Sequence, residues 1–136
     1  MSITEYPLRL VLLPVLWGII VLFLSGIPGN NIQGVPLLNF NHADKVAHFI
    51  MYFVFCILLI YGFQESGRKN QFHSYIYAVS IAIAYGIVME LLQHYVFINR
   101  NGNIYDILAN SAGAFTALFV FNPVMKLLDK TKYYFR

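Results

Sequence analysis

Four stretches of this chain contain no Asp, Glu, Lys or Arg: residues 10–43, 46–64, 70–89 and 107–125. Each is at least 19 residues long. A helix crossing the hydrocarbon core of a bilayer needs about 20 mostly apolar residues. Composition supports this reading, with 59% hydrophobic and only 11% charged residues in 136. A soluble domain carries about 25% charged residues, and a domain this small has a large surface to cover. A soluble globular enzyme, a disordered chain and a nucleic-acid module are therefore excluded. The net charge of +3 does not reverse this, because the basic residues are sparse and form no patch with stacking aromatics. The single cysteine, Cys56, lies in an apolar run and reads as a small buried hydrophobe.

The runs predict an all-α membrane protein, a single domain over 1–136 built as a four-transmembrane-helix bundle. The expected spans are approximately 8–25, 46–62, 74–96 and 104–128. Glu5 and Arg9 before the first span, with no small-x-small site after it, favour a retained helix over a leader. Pro14 is expected to kink that helix. The connections are a Gly/Pro/Asn-rich stretch over 26–43, a polar turn over 64–73 and a loop over 97–103.

Basic residues set the expected orientation. Four spans place both termini and the 64–73 turn on one side, with Arg9, Arg68, Lys69, Lys126, Lys130, Lys132 and Arg136. The other side has only Lys45 and Arg100. Positive residues favour the cytoplasmic side, so both termini are expected there.

The two outward basic residues lie beside most of the unexpected polar groups. The second span opens with Asp44-Lys45-x-x-His48-x-x-x-Tyr52, the third closes with Glu90-x-x-Gln93-His94, and Arg100, Asp106, Asn110 and Gly113 follow. At 100° per residue each helix gathers its set on one arc, and all three sets lie at one depth. Ala78, Ala82 and Gly86, and likewise Ala109, Gly113 and Ala117, form small-residue ridges that let helices approach closely. The ridges predict tight packing of the third and fourth helices, with their polar groups turned toward the second.

Each residue also has a structural reading. Lys45 and Asp106 suit a snorkelling cation and a first-turn charge. Tyr52 suits an interfacial anchor, and His42 and His94 suit the surface. Glu90 is harder to explain structurally, because a carboxylate inside an apolar span is costly and marks a candidate functional site.

The ordered set from Asp44 to Tyr52, then Glu90, Gln93, Arg100, Asp106, Asn110 and Gly113, resembles the VanZ-like family of small bacterial membrane proteins. Ser25 and Pro28 look like that family's motif after the first helix. The resemblance covers nearly the whole chain. Two positions depart from it: Ile98-Asn99 stands where a small residue or Pro-Gly often precedes the Arg, and Ala117 replaces a second glycine. His94 lies outside the pattern. The resemblance implies a multi-pass protein of the bacterial cytoplasmic membrane with its polar site facing outward. The family's founding member is linked to low-level teicoplanin resistance, and no settled mechanism accompanies it.

Three functions compete. In the first, Asp44, Lys45, His48, Tyr52, Glu90, Gln93, Arg100, Asp106 and Asn110 bind a membrane lipid, a lipid-linked envelope precursor or a lipoglycopeptide. In the second, the protein is a membrane-embedded hydrolase or transferase with His48 or Glu90 as general acid/base. A zinc variant would use the i, i+4 pairs Asp44/His48 and Glu90/His94, but the preferred reading needs no metal and no cofactor. In the third, the polar layer is purely architectural. No nucleic-acid partner is expected, and a homodimer is compatible with the sequence.

Overall fold

The computed structural model describes residues 9–28, 42–65 and 70–134, with side chains described over 10–28, 42–65 and 70–127. The described residues form four helices: α1 (Arg9–Gly26), α2 (Ala43–Glu65), α3 (Gln71–Tyr95) and α4 (Ile104–Tyr134). Three of them, taken over Ala43–Glu65, Gln71–Tyr95 and Ile104–Leu127, are long and apolar enough to cross a membrane. At 1.5 Å per residue these segments are about 35–38 Å long. The apolar part of α1, Leu10–Gly26, is shorter. All four helices expose large apolar side chains, among them Val15, Ile50, Ile81 and Phe119. Around a small helical core, apolar exposure on that scale suits lipid rather than water.

The helices fall near the expected limits, but α2 and α3 each start three residues early and α4 ends later. α2 starts at Ala43 rather than Val46, which places Asp44 and Lys45 in its first turn. His42 precedes it at φ 66°, and its carbonyl accepts Val46 N–H at 3.1 Å. Asn70 starts α3 by accepting Phe72 N–H on its side chain at 3.0 Å, the usual N-cap arrangement. α4 runs through Pro123 to Tyr134, past the expected end at 128. Most of the 26–43 stretch and residues 66–69 of the 64–73 turn, including Arg68 and Lys69, lie outside the described residues.

α2 occupies the centre and makes its largest contact with α4. α3 and α4 also pack on each other, less extensively than α2 on α4. At Gly113 of α4 an added Cβ would collide with the Phe49 carbonyl of α2 and stand 3.0 Å from Phe53 N. The glycine thus brings two backbones together, and its ridge serves α2. On α3, Ala78, Ala82 and Gly86 are buried. A Cβ at Gly86 would stand 3.2 Å from the Tyr52 ring and 3.1 Å from Asn110 Nδ2, so this ridge admits polar side chains from α2 and α4.

α1 packs on α2 through another close approach. Pro14 has no N–H, so the Leu10 carbonyl lacks its i+4 helical donor. That carbonyl faces Gly62, where a Cβ would lie 2.6 Å away. Trp17 Nε1 donates to the Met51 carbonyl at 2.9 Å and Tyr85 hydroxyl to the Gly18 carbonyl at 2.7 Å. Along α1 runs an apolar cavity of about 710 Å³, lined by Leu10, Pro14, Gly18 and Leu22 of α1, Phe55 and Leu59 of α2, and Ile81 and Tyr85 of α3.

Candidate functional site

The polar groups of α2, α3 and α4 meet at the end of the bundle where residues 96–103 join α3 to α4. Lys45 lies at the rim. Its Nζ is 2.8 Å from Asp44 Oδ2 and 3.2 Å from Asp106 Oδ1. Asp44 is half exposed, whereas Asp106 is buried. Lys45 therefore ties α2 to α4 and compensates a carboxylate that lipid would not solvate. That pairing explains how α2 can begin three residues before its apolar run.

One turn deeper, His48 Nδ1 lies 3.0 Å from Asn110 Oδ1. The same nitrogen is 3.6 Å from Glu90 Oε1. Glu90 is only 3% exposed. Its other oxygen, Oε2, accepts the backbone N–H of Asn103 at 2.9 Å. Asn103 in turn accepts Tyr105 N–H on its side chain at 3.0 Å, capping α4. Gly102 beside it has no room for a Cβ, which would stand 2.5 Å from the Glu90 carbonyl. The end of α3 and the start of α4 are thus fixed around the Glu90 carboxylate.

Several polar atoms at this level remain unmatched. Glu90 Oε1, Asn110 Nδ2, Tyr52 Oη and Ser25 Oγ are buried and have no hydrogen-bond partner among the described residues. More than nine in ten buried polar groups in proteins are paired, so such atoms need a reason. Tyr52 is fully buried, with its ring 6.3 Å from that of Tyr85, and so does not serve as an interfacial anchor. Tyr85 also lines the apolar cavity, and the two rings connect that cavity to the polar cluster.

His48, Tyr52, Glu90, Asp106 and Asn110 are the expected residues that come together in the interior, with Asp44 and Lys45 at the rim. Gln93 and Arg100 turn elsewhere. Gln93 Nε2 donates to the Ser25 carbonyl at 3.1 Å and Arg100 Nε to the Ile27 carbonyl at 2.9 Å. Both fasten the end of α1 to the site. No described residue pairs with the two terminal nitrogens of Arg100. The four-residue zinc set of the sequence reading is not assembled. His94 is exposed and meets the Tyr95 ring edge-on at 4.5 Å, and Asp44 is engaged by Lys45. Helical position explains the miss, because Glu90 points inward while His94, one turn on, emerges from the bundle.

Sequence reasoning passed over Asn103 and Gly102. An Asn directly before the last apolar run is an N-cap signal, but its backbone contact with Glu90 has no sequence signature. Asn99 gives the Ile98-Asn99 departure a physical sense. Its φ of 55° is left-handed, a conformation that glycine adopts freely and asparagine tolerates.

The fold and site together define a small helical membrane protein with a buried polar centre at one end of its bundle. The VanZ/LLP1 family matches residues 8–126, and the chain belongs to that family. The matched stretch contains every residue of the polar centre. No curated protein and no solved structure matches the chain.

Proposed function

We propose that this protein binds the anionic head of a membrane lipid or lipid-linked envelope precursor at its polar centre, with an apolar chain in the cavity along α1. In this reading α1 is a fourth span. Both termini lie in the cytoplasm of a bacterium, and the site opens toward the outer leaflet. The observation that carries the reading is the Glu90 carboxylate, buried with one oxygen fixed by Asn103 N–H and the other without a described partner, an acceptor for a hydroxyl of the head group. Burying a charge without full pairing destabilises a protein by several kcal/mol, so its retention calls for a function. Arg100 supplies the attraction for an anion, because no described residue pairs with its two terminal nitrogens and its fork suits phosphate or carboxylate. Lys45, shared by two carboxylates, contributes stability instead. A lipoglycopeptide such as teicoplanin joins an acyl chain to a polar head and fits the same description.

Native mass spectrometry of the full chain with phosphatidylglycerol, phosphatidylcholine and an isoprenyl monophosphate tests this. The two anionic lipids are expected to be retained over the zwitterionic one. A charge-assisted bond from Arg is worth about 1.5–3 kcal/mol, so Arg100→Ala should weaken retention about tenfold or more. Equal retention of all three lipids by wild type and variant would refute the reading.

The 3.6 Å approach of His48 to Glu90 favours one second reading, a hydrolase or transferase acting on the same lipid with these two residues as acid and base. The nearby Ser111 supplies no free nucleophile, since its hydroxyl donates to the Ile107 carbonyl at 2.8 Å. Cleavage or modification of the lipid in those incubations, lost in His48→Gln, would establish the enzyme.

A further inference from the structure

At the centre of the polar cluster, three helices contribute one ligand-type side chain each. One ring nitrogen of His48, one carboxylate oxygen of Glu90 and one of Asp106 lie within 4.8 Å of one another, and all three residues are buried. We propose that this triad binds a single divalent metal ion through one imidazole and two carboxylates. Nitrogen–oxygen sets of this kind suit zinc and manganese. With zinc bonds of about 2.0–2.2 Å, tetrahedral ligand atoms stand about 3.4 Å apart. Each side chain then closes on the ion by less than about 1 Å, within reach of small χ rotations.

A second observation points to a ligand at the same place. Glu90 Oε1 has no hydrogen-bond partner among the described residues, although it is buried 3.6 Å from His48 Nδ1. The carboxylate is divided as a metal ligand's would be, with Oε2 oriented by Asn103 N–H and Oε1 left for the ion. The surrounding contacts repeat this pattern. Lys45 holds Asp106, and Asn110 Oδ1 stands 3.0 Å from His48 Nδ1. Partners in that outer position orient metal ligands and raise their affinity about 10- to 100-fold.

The two carboxylates of the triad match the charge of a divalent ion bound by a neutral imidazole. Three protein ligands also leave a fourth position open. The metal site stands on these residues whether or not a lipid binds. If both proposals hold, an anionic oxygen of the head group takes the open position.

The test uses the full chain in detergent, stripped with chelator and titrated with ZnCl₂ and MnCl₂, with bound metal counted by mass spectrometry after desalting. One ion per chain is expected. Glu90→Gln and Asp106→Asn should each weaken binding about tenfold or more, while His94→Ala binds like wild type. A folded wild-type protein that retains only substoichiometric metal overturns the proposal, whatever the variants do. So does wild-type binding by both charge-removing variants. Phosphatidylglycerol retention measured on the same samples separates the two proposals. Lipid held without any metal overturns the metal site alone, and metal held without lipid preference overturns the lipid reading alone.

Discussion

Replacing Glu90 by Gln keeps the shape of the side chain and removes its charge, which separates a functional carboxylate from a structural one. The amide oxygen can still accept the Asn103 N–H that now bonds Oε2 at 2.9 Å. A hydrogen bond to a charged group is worth about 1.5–3 kcal/mol and one between neutral groups about 0.5–1.5, so this exchange costs about 1–1.5 kcal/mol. Against it stands the desolvation of a carboxylate that is 3% exposed, a penalty of several kcal/mol that the amide does not incur. In metal-free detergent, Glu90→Gln should therefore be as stable as wild type within about 1 kcal/mol, or more stable. Trp17, the only tryptophan, bonds α1 to the Met51 carbonyl of α2, so its fluorescence follows denaturant-induced separation of these helices. Lipid retention should fall in the same variant. A loss of about 3–5 kcal/mol, the usual cost of removing one partner from a buried ion pair, would make Glu90 the counter-ion of a charged His48 and refute this reasoning.

Other consequences follow from the packing. Lys45→Ala leaves the buried Asp106 without its cation and should cost about 1–3 kcal/mol, whereas Asp44→Ala, at a half-exposed side chain, should cost less than about 1 kcal/mol; the same denaturation assay compares them. Gly113→Ala forces α4 away from the Phe49 carbonyl and should cost about 1–3 kcal/mol, read as a lower unfolding midpoint. Asn103→Ala removes the α4 cap and should cost about 0.5–2 kcal/mol while leaving the backbone N–H that holds Glu90, so its lipid retention should change little.

The helices were legible because burial in lipid leaves a plain mark on sequence, the absence of charge over about 20 residues. The same mark misplaced the start of α2, since Lys45 is satisfied by Asp44 and Asp106 and a satisfied charge can enter a helix. Arcs and depths were enough to nominate His48, Glu90 and Asn110 as neighbours. They did not show that Gln93 and Arg100 reach carbonyls after and at the end of α1, because carbonyl acceptors are common to every residue. Nor did they show which partner Gly113 meets. A small-residue ridge announces close packing without naming the opposing helix, and here the central position of α2 decides it.

The most direct test of a ligand site, as opposed to a network closed on itself, is an experimental density map of the full chain in a bilayer of phosphatidylglycerol. Non-protein density is expected against Glu90 Oε1 and Asn110 Nδ2, reaching toward Arg100 and continuing as a chain along the α1 cavity. A map in which those two atoms bond to neighbouring side chains, with nothing between α2, α3 and α4, would contradict it.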